Sequence, residues 1–261
     1  MTDSPPVRPA STVLLCRDTE DGLEVFMVRR HHQIDFASGA LVFPGGKVED
    51  SDSHPDLAAF CDGADWDDPL TTFRVAALRE AFEESGVLLA RDSATGNPIA
   101  SARHASLYPH RDAVAKGEQQ FSALLSSESL RLDLGALGHF AHWITPEGMP
   151  KRFDTHFFIA RAPGEQLAAH DGEESVDSVW IRPQDALDAG DSGRFTVIFP
   201  TRCNLALLAE ANDVEDAIAR TNGRAVQTVL PTFEQQEDGM YLRMPEGSPY
   251  GITLAKADRL G

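Results

Sequence analysis

Cysteine is scarce in this 261-residue chain: Cys16, Cys61 and Cys203 are odd in number, far apart and without a Cys-x-x-Cys pair. That excludes a disulfide framework and a thiolate zinc site, and predicts buried thiols. Long apolar runs are also missing. The longest candidates, such as Thr12 to Cys16, are strand-sized, so no bilayer-spanning segment is expected. Positive charge is short, with 23 Lys and Arg against 41 Asp and Glu and a net charge of -18. Such a chain has no basic stripe with which to displace counterions from nucleic acid, and an anionic substrate would need local cations to offset the overall field. The first ten residues, MTDSPPVRPA, lack the basic start and apolar middle of a secretory signal, and Arg-Leu-Gly at the end is no obvious address tag. The cytoplasm is the expected compartment. Internal repeats of about 20 to 50 residues and low-complexity blocks are absent.

What is present is an ordinary globular composition, 42% hydrophobic and 25% charged, long enough for one large domain or one domain with appended elements. Residues 1 to 10, with three prolines, read as a flexible arm. Ser11 to Cys16 and Leu23 to Arg29 are rich in apolar and β-branched residues around a polar Asp-Thr-Glu-Asp-Gly, which predicts a hairpin. A third apolar run, Ala40 to Phe43, stops at Pro44-Gly45-Gly46, where two glycines let backbone approach a ligand or metal closely. Further strands are expected at Val87 to Ala90, His142 to Thr145, Phe153 to Arg161 and Val176 to Ile181. Helical stretches are expected from about Ser101 to Ser127, around Asp185 to Leu187, and from Pro200 to Ala219 with a break near Asn212. The last 40 residues show no clear period. Strands and helices intermixed in this way predict an α/β or α+β sandwich.

The segment FRVAALREAFEESGVLL, Phe73 to Leu89, is the most informative. Asp68 and Pro69 suit the start of a helix and Gly86 its end. Glu80, Glu83 and Glu84 fall at i, i+3 and i+4 on an arc of roughly 100°, opposite Val75, Leu78 and Phe82. Carboxylates crowded this way repel one another by a few tenths of a kcal/mol per pair. Either water solvates an ordinary acidic face, or a hard divalent cation with several oxygen ligands relieves the repulsion.

The run Arg79-Glu80-Ala81-Phe82-Glu83-Glu84-Ser85-Gly86-Val87, after a Gly-Gly turn, resembles the second half of the Nudix hydrolase signature. Only the small Ala81 departs from it, where a larger aliphatic residue is usual. In the first half, five residues after Gly46 bring Asp52 where the family has Glu. The Arg expected at position 60 stands at 79, and 79 less 60 gives an insertion of 19 residues. A box broken in this way resembles the branch that includes the peroxisomal coenzyme A diphosphatases of animals. That branch also carries stretches similar to RFDTHFF at Arg152 to Phe158 and to Pro200-Thr201. In the coenzyme A subgroup an Arg precedes Gly39 and the Phe43-Pro44-Gly45-Gly46 turn; here Asp35 holds that place.

The resemblance implies a Nudix fold, a mixed β-sheet sandwiched between helices. It would occupy residues 11–190, with helical insertions near 53–71 and 101–127 and a helical extension, 191–261, packed on the same domain. It implies hydrolysis of a diphosphate joined to another group, with Mg2+ or Mn2+. Glu83 and Glu84 are then the expected direct ligands, Glu80 a third ligand or the base that positions water, and Gly46 the source of a backbone carbonyl. Arg79, four residues before Glu83, is placed to orient that carboxylate. Glu174, or Glu173 beside it, is a candidate for a further carboxylate from the loop before the strand at 176. Arg29, Arg30, Phe43 and Arg152 are candidates for substrate binding, with Lys151 a further cation. Trp143, Phe153 and Trp180 are candidates for stacking on adenine. His31-His32 makes a poor metal pair, because adjacent side chains diverge in extended chain. The expected substrate is a small nucleoside diphosphate derivative, coenzyme A or its acyl esters first. ADP-ribose, dinucleotides or nucleotide sugars come second, and a non-catalytic ligand sensor third. No nucleic-acid or membrane partner is expected, and a homodimer is the assembly to test for. The insertion at 53–71 suggests a lid over the substrate.

Overall fold

The computed structural model describes residues 5–30, 39–163 and 175–257. The strands of the first half are β1 (Val7–Thr19), β2 (Gly22–Arg30), β3 (Leu41–Val42), β4 (Gly45–Lys47), β5 (Cys61–Asp62), β6 (Ala90–Asp92) and β7 (Leu130–Asp133). Those of the second half are β8 (Gly138–Ile144), β9 (Arg152–Arg161), β10 (Ser175–Ile181), β11 (Thr228–Val229), β12 (Thr232–Gln236), β13 (Gly239–Arg243) and β14 (Leu254–Lys256). The helices are α1 (Leu70–Ser85), α2 (Ser101–Leu107), α3 (Arg111–Ala115), α4 (Phe121–Ser127), α5 (Pro183–Asp191), α6 (Phe199–Leu208) and α7 (Val214–Asn222).

The main sheet runs β10-β2-β1-β9-β8-β11, with β3 attached to β2 and β4 to β1. β1 is parallel to β9 and β11 parallel to β8, while the other pairs are antiparallel. β1 shows why the sequence commits to this arrangement. Val13 and Leu15 enter one apolar cluster with α1 residues Val75, Leu78 and Phe82, whereas Leu14 and Cys16 enter a second with Phe199, Leu205 and Val214. A strand covered on both faces must be apolar on both, which is what the unbroken run Val13 to Cys16 provides. All three cysteines are buried and unpaired.

Three expectations shift. β1 begins at Val7, so residues 7–10, expected in the arm, pair in parallel with Arg152 to Thr155. Val87 to Leu89 are buried but not in a strand, and pairing starts at Ala90, where β7 lies alongside. The extension is helical only to Asn222; beyond it β11 joins the main sheet and β12, β13 and β14 form a meander. Leu205, Leu208, Val229 and Leu242 share a cluster with Leu14 and Val25.

The insertion expected as a lid packs on the core, and none of its residues lines the main cleft. Asp50–Ser53 and Pro55–Phe60 form 3-10 turns, and β5 pairs with β7 in a small sheet, β5-β7-β6. Leu57 and Cys61 are buried in the cluster that holds Leu124 and Leu125 of α4. Apolar side chains on both 3-10 turn and strand drew the segment down onto the core.

Candidate active site

α1 starts and stops as its sequence directs. Asp68 Oδ1 accepts the Leu70 N–H at 2.9 Å, one residue ahead of the Pro69 cap. At the other end Gly86 sits at φ 72° and donates to Phe82 O at 2.9 Å. A Cβ there would also lie 2.9 Å from the Tyr108 ring, so glycine is required twice over. Arg111, fully buried, then closes the helix: its Nε donates to Glu83 O and its Nη2 to Glu84 O, both at 2.5 Å. Its Nη1 donates to Tyr108 Oη at 2.9 Å. A cation on the last carbonyls of a helix complements its dipole. Nothing in the polar stretch around Arg111 distinguished it in sequence.

The carboxylates are not a solvated face. Glu80 and Glu83 side chains are each only 12% exposed, and Glu84 is buried. Burial pushes the Glu80 carboxyl up to about 8, with Arg79 pulling the other way and Glu83 adding to the rise. Glu83 is raised as well, first by burial, against the opposing charge of Arg79. Glu49 and Asp52 push it further in the same direction. Burial keeps water from relieving this crowding, and Arg79 offsets part of it.

Arg79 organises the cluster. Its Nε and Nη2 donate to Asp52 Oδ1 and Oδ2 at 2.8 and 2.9 Å, a bidentate pair. Nη2 also donates to Lys47 O at 2.9 Å, and Nη1 donates to Glu80 at 3.0 Å and Glu83 at 3.2 Å. Burial works against the Arg79 charge. Its bond to Asp52 and the charges of Glu80, Asp52 and Glu83 outweigh that and hold it protonated. Asp52, separated from Arg79 in sequence by the insertion, thus lies beside it in space: it sits in a 3-10 turn, 1% exposed, and also accepts the Glu49 N–H at 2.8 Å.

The Gly-Gly turn lies against the same helix. Gly45 donates to Glu84 Oε2 at 2.9 Å. A Cβ on Gly46 would stand 2.4 Å from Glu80 Oε1, so any side chain there would push the carboxylate from its place. Pairing of β4 with Ala10 to Thr12 of β1 fixes the approach.

These groups open into a cleft of about 810 Å³. Arg8, Lys47, Lys116 and Lys151 bring positive charge to it, and Phe43, Trp143, Met149, Phe157, Phe199 and Leu242 form an apolar wall. The C-terminal segment supports that wall: Trp143 Nε1 donates to Tyr250 Oη at 2.9 Å, and Tyr250 Oη donates to Asn204 Oδ1 at 2.7 Å. Of the residues expected to bind substrate, Phe43 lines the cleft and Arg152 does not. β9 alternates, so Phe153, Thr155 and Phe157 face the cleft while Arg152 turns away, its Nε donating to Thr145 O at 3.1 Å. Arg29 stays on β2 with Nε buried and no hydrogen-bond partner among the described residues. Trp143 and Phe153 line the cleft, but Trp180 packs on Phe26 and under Arg17. Arg30 lies in β2 by its backbone; its side chain, Asp35, the His31-His32 pair, Glu173 and Glu174 fall outside the described residues. Arg8, Lys47 and Lys116 were missed because a single cation near a strand end or in a polar helix carries no periodic signal.

A family model for the NUDT19 Nudix domain matches residues 59–204, more than half of the chain. The chain belongs to this Nudix family. It is therefore a Nudix-type diphosphate hydrolase. Among curated relatives, the acyl-coenzyme A diphosphatase NUDT19 of Homo sapiens is 27% identical, the match covering 95% of this chain and 76% of that protein. The Xenopus laevis enzyme of the same name is 25% identical, over 87% and 71%. A crystal structure of a Nudix hydrolase from Alicyclobacillus acidocaldarius is 32% identical, with a TM-score of 0.68, covering 82% of this chain and 96% of that one. Among the described residues no helix is long and apolar enough to cross a membrane.

Proposed function

We propose that this Nudix hydrolase cleaves the diphosphate linkage of coenzyme A or acyl-coenzyme A, giving 3',5'-ADP and phosphopantetheine or its acyl form, with Mg2+ or Mn2+ as cofactor. The observation that carries the proposal is the carboxylate trio of α1, Glu84 buried and Glu80 and Glu83 nearly so, opening into a cleft with a cationic part and an apolar wall. A hard dication suits the donors present: Glu80, Glu83, Glu84 and the carbonyl of Gly46 are oxygens, and Arg79 is the guanidinium that offsets their charge from within the cluster. When bound, the cation would screen the diphosphate and acidify water there.

The chain's own groups do the rest. Glu83 and Glu84 serve as ligands, Glu84 with one oxygen fixed by the Gly45 N–H. Glu80, held by Arg79, accepts a proton from the attacking water once its own proton is gone. Arg79, gripped by Asp52, keeps Glu80 and Glu83 in register on one side of the cleft. Arg8, Lys47, Lys116 and Lys151 supply the local positive field that an anionic substrate needs against a net charge of -18. The apolar wall suits a pantetheine arm and acyl chain, in keeping with the printed names of the curated relatives.

Asp35, at the place where the coenzyme A subgroup has Arg, favours a second substrate reading in which ADP-ribose, a dinucleotide or a nucleotide sugar is preferred. The test is a parallel release assay on coenzyme A, an acyl-coenzyme A, ADP-ribose, NADH and UDP-glucose with Mg2+ or Mn2+, products resolved by mass. Fastest appearance of 3',5'-ADP supports the proposal. Faster turnover of ADP-ribose, NADH or UDP-glucose overturns the coenzyme A assignment and leaves the diphosphate chemistry standing.

A further inference from the structure

The face of the sheet turned away from the cleft carries a second constellation. His142 of β8 and His156 of β9 are cross-strand partners, and Asp154 lies two residues before His156 on the same face. Their ligand atoms all lie within 4.8 Å of one another. His142 Nε2 is 2.5 Å from Asp154 Oδ1, and His156 Nε2 is 4.0 Å from the same oxygen. The two rings stack at 3.9 Å between centroids.

We propose that His142, Asp154 and His156 bind one transition-metal dication of the imidazole-seeking class, Zn2+ by preference, at a site independent of the carboxylate cleft. Three features carry this beyond proximity. First, each imidazole has its outer nitrogen already engaged: His142 Nδ1 is 2.8 Å from Thr228 Oγ1, and His156 Nδ1 is 3.0 Å from His139 Nε2. Thr228 Oγ1 can donate or accept, so it can take the His142 Nδ1–H when Nε2 turns from its bond with Asp154 to an ion. Second, His156 Nε2 lies 4.0 Å from Asp154 Oδ1, beyond direct hydrogen-bond reach, so an ion between them would take both as ligands. Third, the side chains are 15%, 34% and 10% exposed for His142, Asp154 and His156, leaving a fourth position open to water, as a tetrahedral ion with three protein ligands requires.

The ligand set also separates the two sites by chemistry. Two imidazoles and one carboxylate favour Zn2+, Co2+, Ni2+ or Cu2+, whereas an all-oxygen set favours Mg2+ or Mn2+. Zn–N bonds of about 2.0 to 2.1 Å place tetrahedral ligands roughly 3.3 Å apart. The ion would therefore move the His142 and Asp154 atoms slightly apart and draw the His156 and Asp154 atoms together. Arg74, whose charge bears on His139, is paired with Asp68 at 2.8 Å. Occupancy would tie β8 to β9 and, through Thr228, brace β11 of the C-terminal segment.

The test is titration of the chelator-stripped full chain with Co2+ and Zn2+ in excess Mg2+, which holds the carboxylate cleft. One equivalent of Co2+ with the visible bands of tetrahedral coordination is expected. Affinity should fall at least tenfold in Asp154→Asn and His142→Gln and stay unchanged in Glu83→Gln. X-ray absorption on the Zn2+-loaded wild type, which requires no variant to fold, should show two imidazoles. Absence of saturable binding, an all-oxygen shell, or binding lost in Glu83→Gln but kept in His142→Gln would overturn the proposal.

Discussion

Replacing one oxygen of Glu83 by an amide nitrogen removes a charge and keeps the volume. Glu83→Gln should lower turnover by about a hundredfold or more, the scale of losing a group that stabilises developing charge, while circular dichroism and melting stay near wild type. Near-normal turnover in the folded variant would remove Glu83 from the site. Asp52→Ala acts differently, because it removes the bidentate partner of the buried Arg79 and leaves the guanidinium to Glu80, Glu83 and Lys47 O. Losing one partner of a buried charged hydrogen bond costs about 1 to 3 kcal/mol, so denaturant melts should show a clear loss of stability alongside lost activity. Glu80 gives a pH signature. Its carboxyl rises from 4.5 to about 8 on folding, chiefly by burial. A raised pKa favours the fold fully below about pH 4.5, and that contribution fades as pH climbs through about 8. At pH 7 the stripped protein thus holds a proton that ligation must expel. Calorimetry of Mn2+ binding in buffers of different ionisation enthalpy should detect proton release at pH 7 that declines above pH 8. The three glutamates were legible in sequence because helical spacing places them together. Arg111 and the His142, Asp154 and His156 group were not, because each depends on partners 12 to 28 residues away that only tertiary pairing brings close.

Helix α1 was readable end to end, since apolar spacing, an Asp-Pro start and a Gly stop all pointed the same way. The insertion before it was not. A 3-10 turn of six residues and a strand of two are too short to show a period, and what positions them is the cluster beneath. Leu57→Ala should therefore destabilise the protein by about 2 to 5 kcal/mol and leave KM for the diphosphate substrate unchanged, since no residue of 53–71 lines the cleft. A changed KM with unchanged melting would restore the lid. The β12-β13-β14 meander escaped detection for a related reason: β12 is exposed or half-buried along its whole length, so it has no apolar alternation to read.

For the molecule as a whole, the sheet buried on both faces was foreshadowed by β1, while the route of the chain after Asn222 was set by packing against Trp143 and Leu14 rather than by local preference. That route builds one wall of the cleft, so chemistry and cleft are assembled from opposite ends of the sequence: the Gly-Gly turn and α1 supply the carboxylates, and the C-terminal segment supplies Pro231 and Leu242. The most direct test follows the rate of coenzyme A or ADP-ribose cleavage while Mg2+ or Mn2+ is returned to chelator-stripped protein, wild type beside Glu83→Gln. Cleavage should be absent without the cation, rise to a plateau in the wild type, and stay at least a hundredfold lower, or need far more cation, in the variant. Equal cleavage in the stripped wild type, or the same plateau at the same cation concentration in the variant, would mean that the carboxylates of α1 do not hold the catalytic ion.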